Sequence, residues 1–375
     1  MGQKNIVIHS RKRPRYRCQT CKKTLSAREG TLFAGLRKPE ELIVLIVTLV
    51  CYGCPRQAMV HAFGLDERTV ARWQERAGQH CQHIHEDQVM QAQLDLEHVQ
   101  ADEIRVKGHG MIPWMAMTIM VSTRLWVGGV VSEHHDRKLA DQLLEMVKAC
   151  CLPLCPLLVV TDGWSAYPNS IRRAFREKVK RMGEHGRCRL QAWPEIVIGT
   201  VIKKTAKKRV VEIIRRMAQG TLERAEDLMK HSRGGNQLNT ACIERFNGTM
   251  RERLASLTRR SRHAAHRVAA LQTGMWLVGC TYNCCWPHHE LSRRLAQAQG
   301  RKGEVLISPA MAAGLTDHLW SVREILTYRI APPPWVAPSR QGRPKNTAPM
   351  ASRSSSGRPR PLLRLRKGVL CPSTR

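Results

Sequence analysis

The spacing of apolar residues changes character several times along the chain. Over residues 42–49 they recur at helical intervals (Leu42, Leu45, Ile46, Leu49), which predicts a helix closing near Cys51. Residues 55–73 then read as helix, tight turn, helix, with Gly64 suited to a left-handed helix end and Asp66 to an N-cap. Ala58 is small where the two helices would cross, and Leu65, Val70 and Trp73 are expected to point inward. That leaves Arg68, Thr69 and Arg72 outside, near the start of the second helix. From about residue 94 the texture becomes strand, strand, strand, helix, strand, over 94–106, 114–121, 125–131, 139–151 and 156–162. The last of these is apolar throughout, as in a strand buried on both faces at a sheet centre. Further helices are expected over 169–180, 210–231 and 240–282.

Charge narrows the class of partner. The 375 residues carry 62 Lys and Arg against 30 Asp and Glu, a formal net charge of +32. A chain so basic favours a polyanion, because each lysine or arginine that neutralises a phosphate releases a condensed counterion. Hydrophobic residues make up 42% of the chain, enough for a globular body. No apolar run approaches the ~20 residues of a membrane span, and the basic first 30 residues hold no apolar leader segment. The reading is a cytoplasmic protein without a membrane anchor. The fourteen cysteines are scattered and are expected to be mostly buried thiols.

Five segments follow from composition and pattern. Residues 1–38 form a basic arm holding Cys18 and Cys21 as a single CxxC; 39–90 hold the two-helix motif; 94–295 form an α/β body. Residues 296–330 add a helical extension, and 331–375, rich in Pro, Ser and Arg with no acid, are expected to be disordered. A structural zinc site needs four ligands, so Cys18 and Cys21 are either half of a zinc ribbon or a CxxC without metal. The helical pair is either a DNA-reading helix-turn-helix or a plain hairpin, and the basic flank favours the first. His134-His135-Asp136 follows a strand as a loop does.

Three acids stand out by position. Asp102 interrupts an apolar strand (Val99, Ile104, Val106), Asp162 ends a buried one, and Glu244 lies in a helix beginning near Thr240. A carboxylate in such a place is costly unless compensated, and a divalent ion compensates it. Three carboxylates can hold two ions, Mg or Mn, one activating an attacking oxygen and the other stabilising a leaving one. At ~100° per residue, Asn247 and Arg251 share a helix face with Glu244. Singly, each acid is also readable as a cap, a turn or an ion-pair partner. The basic run Lys203, Lys204, Lys207, Lys208 either contacts DNA backbone or is a solvated charged face.

Taken together, Ala-Asp102-Glu, Thr-Asp162-Gly-Trp-Ser-Ala-Tyr, Asn-Thr-Ala-Cys-Ile-Glu244-Arg-Phe-Asn-Gly-Thr-Met-Arg251 and Tyr282-Asn-Cys-Cys-Trp-Pro-His288 resemble the DDE transposases of bacterial insertion sequences. The resemblance covers roughly residues 15–295. It implies an α/β fold, a ribonuclease H-like mixed sheet flanked by helices and preceded by a small helix-turn-helix domain. It implies Asp102, Asp162 and Glu244 as ligands of two divalent ions, with Asn247 supporting them. The implied partners are the element's terminal inverted repeats and target DNA, bound by a homo-oligomer near the nucleoid. An N-terminal zinc ribbon is implied as well, yet only Cys18 and Cys21 are present, a departure expected of a late start or a truncated copy. The class that competes is a DNA-binding protein that does not cut, either a regulator or a decayed transposase.

Overall fold

Three β-strands open the chain, β1 (Ile6–Ser10), β2 (Arg15–Cys18) and β3 (Thr24–Ser26), joined as a small antiparallel sheet. The computed structural model describes residues 5–11, 14–180, 188–207, 209–257, 265–301 and 305–331, all within one compact unit, Met1–Pro332. Lys208 and all of the expected tail except Ala331 lie outside the described residues.

Helices α1 (Glu40–Cys51), α2 (Arg56–Phe63) and α3 (Glu67–His85) follow. The turn between α2 and α3 forms as its residues dictate. Gly64 adopts φ +58° at the C-terminal cap of α2, and the Asp66 carboxylate accepts the Arg68 and Thr69 amides. Leu65, Val70 and Trp73 are buried, and Cys51 is packed at the end of α1. The close crossing falls elsewhere than expected. Ala58 is exposed, whereas Gly78 of α3 lies against α8 (Val268–Cys284), where a Cβ would overlap the Thr273 carbonyl. The second half of α3 therefore packs into the α/β body, and one apolar core runs from Leu32 through α3 and the sheet to Leu326.

The body is a six-stranded mixed sheet in the order β11-β10-β7-β4-β5-β6. Strands β4 (His98–Arg105), β5 (Trp114–Met120) and β6 (Trp126–Ser132) form an antiparallel meander. Helix α4 (Arg137–Cys150) leads to β7 (Leu157–Thr161), which runs parallel to β4 and is buried throughout. The five elements expected from pattern over 94–162 are thus all present. Beyond them the expectations need correction. Residues 169–180 hold the end of α5 (Ala166–Ala174) and the strand β8 (Arg176–Val179), which pairs with β9 (Arg189–Ala192). Residues 210–231 are not one helix: β10 (Ile196–Ala206) and β11 (Arg209–Gln219) form a long hairpin, and α6 (Leu222–His231) follows it. The run Val-Val-Glu-Ile-Ile is β-branched and prefers the strand. Among the described residues, the span 240–282 holds α7 (Ala241–Arg253), a 3-10 turn over Ala255–Leu257 and most of α8 rather than one helix.

Parity along β4 assigns the two faces. Gln100 and Asp102 face α7, while Glu103 faces α5. Helices α6, α7 and α8 thus cover one side, and α4 and α5 the other. Over 296–330, α9 (His289–Ala298) ends, and the short helices α10 (Pro309–Ala312) and α11 (Val322–Thr327) follow. Ile325 and Leu326 of α11 are fully buried.

Candidate metal centre

Register brings the first two acids together. β4 and β7 run parallel, and their last paired residues are Ala101 and Thr161, so the next residue on each chain is Asp102 and Asp162. Both carboxylates emerge side by side at the same end of the sheet. Glu103 approaches from the opposite face of β4, around the end of the shorter β7. One oxygen from each of Asp102, Glu103 and Asp162 lies within 4.8 Å of the others, and among the described residues this is the one such group of three or more metal-ligating side chains.

Each acid is oriented by named donors. Asp102 Oδ1 accepts the Glu103 amide at 2.9 Å, and its Oδ2 accepts Asn247 Nδ2 at 2.7 Å. Asp162 Oδ1 accepts the Trp164 amide at 3.0 Å. Glu103 Oε2 accepts the Tyr167 hydroxyl at 3.0 Å, and its Oε1 lies 2.9 Å from His135 Nε2. The His135 ring is stacked between Trp114 and Trp164, with both centroid separations 3.9 Å.

Helix α7 is registered to β4 by a buried side chain. Gln100 is fully buried, and its Oε1 accepts the Cys242 and Ile243 amides at 2.9 and 3.1 Å. These are first-turn donors that the helix itself cannot satisfy. Asn247, also buried, completes the tie one turn later through Asp102. Its amide thereby orients the Asp102 carboxylate. Arg251 is exposed on the same helix. Ile243, Phe246, Met250 and Leu254 are buried along this side of α7, and Leu257 beyond it is half-buried.

Glu244 departs from the expected trio. It is exposed, and its Oε1 pairs with Lys203 Nζ of β10 and accepts the Thr240 hydroxyl, outside the close group of three. Its charge still reaches Asp102. Burial pushes the Asp102 carboxyl up to about 7, helped by repulsion from Asp162, Glu103 and, least, Glu244. Burial likewise lifts Glu103 to about 7, with Asp162 adding to it, and raises Asp162 itself. Hard oxygen donors crowded until their protons are held too tightly are a group that could hold a metal ion, whose charge reverses that penalty.

The other expected site residues scatter. Arg68 and Arg72 are exposed one turn apart on α3, and Thr69 is half-buried with its amide held by Asp66. Lys204 pairs with Glu212 across the hairpin at 2.9 Å, and Lys207 lies exposed at its turn. Cys18 and Cys21 occupy a tight turn in which the Lys22 amide donates to the Cys18 carbonyl at 2.9 Å. Hydrogen bonds from the Cys21 backbone lead in holding the Cys18 thiol below its usual range. Among the described residues neither cysteine belongs to a group of three metal donors.

The sequence does not mark Glu103, Tyr167 and Gln100 as site residues, and it reads His135 as part of a loop, although faint signals exist. Gln100 is two residues from Asp102, hence on its face, and Tyr167 follows Asp162 by five residues, at the start of the next helix. The sequence matches no protein-family model, and a search of curated proteins finds no match. Among the described residues no helix is long and apolar enough to cross a membrane.

Proposed function

We propose that the chain is a DNA transposase that cleaves and joins strands by metal-assisted phosphoryl transfer. The observation that carries this reading is the convergence of Asp102, within β4, and Asp162, just past the end of the adjacent parallel β7, in a chain of net charge +32. The strand order, an antiparallel meander extended by parallel strands from its first member, supports a ribonuclease H-like sheet. Bound there, a pair of divalent cations supplies activation of the attacking oxygen and stabilisation of the leaving one.

The protein's part is to position and to balance charge. Asp102 and Asp162 hold the ions, with Glu244 reaching them from α7. Asn247 and Gln100 keep α7 in register with β4. Arg68 and Arg72 offer two exposed cations at the start of α3, where a helix enters a major groove, and the terminal repeats of the element are the duplex they would meet. Lys203, Lys204 and Lys207 stand on the β10–β11 hairpin as phosphate partners, Lys203 beside Glu244.

Asp162→Asn tests the assignment. It should keep affinity for duplex element ends in a gel-shift assay while Mg-dependent nicking falls by several orders of magnitude. Full nicking by that variant refutes the role of Asp162. A second reading has one observation behind it: Glu244 is engaged by Lys203 and Thr240 rather than grouped with the other acids. On that reading the chain binds DNA without cutting, and the wild-type protein nicks nothing in Mg or Mn.

A further inference from the structure

Glu103 stands on the face of β4 opposite Asp102, and both of its oxygens are engaged: one by the Tyr167 hydroxyl, the other by His135. Tyr167 is fully buried at the start of α5, just after the Asp162 turn. His135 comes from the loop between β6 and α4 and is sandwiched by Trp114 at the start of β5 and Trp164. Trp164 in turn gives its amide to Asp162 at 3.0 Å and packs edge-on against Tyr167, their centroids 5.1 Å apart. Three chain segments that pattern alone does not connect are thus closed around one carboxylate: the β4 end bearing Asp102, the Asp162 turn, and the loop before α4.

We infer that the Tyr167–Glu103–His135 bracket, clamped by the Trp114 and Trp164 rings, sets the separation of Asp102 and Asp162 and so tunes the affinity of the centre for divalent cations. Glu103 is a positioning residue here: it leaves β4 on the face opposite Asp102, where Tyr167 and His135 hold it. A stacked aromatic clamp suits this role, since the His135 ring is packed on both faces and cannot swing out of its slot without parting from Trp114 or Trp164. Partners that orient a metal-binding carboxylate typically govern about 10- to 100-fold in metal affinity. This inference rests on the metal-centre reading above and adds to it a set of residues on the other face of the sheet.

The test is Mn binding to the full-length protein, purified free of metal and titrated without DNA, with free Mn read by electron paramagnetic resonance. Glu103→Ala and His135→Ala should each weaken binding by about tenfold or more. Glu103→Gln should recover most of the loss. Its amide oxygen still accepts from Tyr167, and its amide nitrogen can donate to the other tautomer of His135. Tyr167→Phe keeps the buried ring, removes one donor, and carries the test if the alanine variants do not fold; it should lose several-fold. In a nicking assay the deficit of Tyr167→Phe at limiting Mn should fall on kcat and leave KM for DNA unchanged. Wild-type protein that binds no Mn overturns the metal centre and this inference together. Wild-type binding with Glu103→Ala, His135→Ala and Tyr167→Phe all equally tight overturns the bracket alone. A Glu103→Gln loss as large as that of Glu103→Ala also overturns it, by making Glu103 a direct ligand.

Discussion

Asp102 and Glu103 are neighbours in sequence whose side chains leave β4 on opposite faces, yet both lie close to Asp162 because β7 stops before β4 does. Without a cation this crowding has a cost that depends on pH. Both carboxyls titrate near 7 in the folded chain, well above their ordinary range, so the folded state holds protons that the unfolded chain has released. Their contribution to stability is complete below the ordinary carboxylate range and is lost as pH rises through about 7. The buried histidines act in the other direction: burial lowers His85 and His80 to about 4 and His98 to about 3. Their stabilisation is present above the ordinary imidazole value near 6.5 and fades as the medium becomes more acidic. The expected outcome in a thermal melt of metal-free protein is a midpoint that falls between about pH 6.5 and 8, where the carboxylates dominate. Added Mg should raise that midpoint more at the upper end of the range than at the lower. An Mg shift independent of pH would mean that the ion binds elsewhere.

At the scale of elements, α3 joins the helical unit to the sheet. Its first turns present Arg68 and Arg72, while its second half is wedged against α8 at Gly78. Two helical glycines separate close packing from helix propensity. Gly78→Ala would drive a methyl into the Thr273 backbone and should destabilise the protein by about 1–3 kcal/mol in urea denaturation. Gly248 of α7 faces open space, so Gly248→Ala should stabilise by about 0.5–1 kcal/mol. If the two variants shift alike, the α3–α8 crossing is looser than the Gly78–Thr273 approach requires. The β10–β11 hairpin carries the other lesson at this scale. β10 pairs with β7 only over Ile196–Thr200, and its remaining residues run on with β11 beyond the central sheet, bringing Lys203 beside Glu244. A helix expected over 210–231 obscured this arm, because apolar pairs such as Val210-Val211 and Ile213-Ile214 suit either period over so short a run.

For the whole molecule, the net charge of +32 sets the character of any contact with nucleic acid. Affinity for duplex DNA should fall steeply with salt, and Arg68→Ala with Arg72→Ala should reduce the log–log slope by about 0.9 for each phosphate contact removed. An unchanged slope would place the contacts on other parts of the surface. Much of the body was legible in the amino-acid pattern: five consecutive elements over 94–162, the capped turn at Gly64–Asp66, Asp102 within a strand and Asp162 at the end of one. These are local properties, written in period, turn chemistry and the oddity of an acid in an apolar run. Other features required the folded chain. That Glu244 lies with Lys203 while Glu103 joins the close carboxylates depends on how far β7 extends beside β4 and where the β10–β11 hairpin projects. So does the tie from Gln100 to α7, which links residues more than a hundred positions apart. Periodicity tells a side chain which face of its own element it occupies. Which other side chains it meets there is decided by strand lengths, register and packing between distant segments, and no local pattern encodes those.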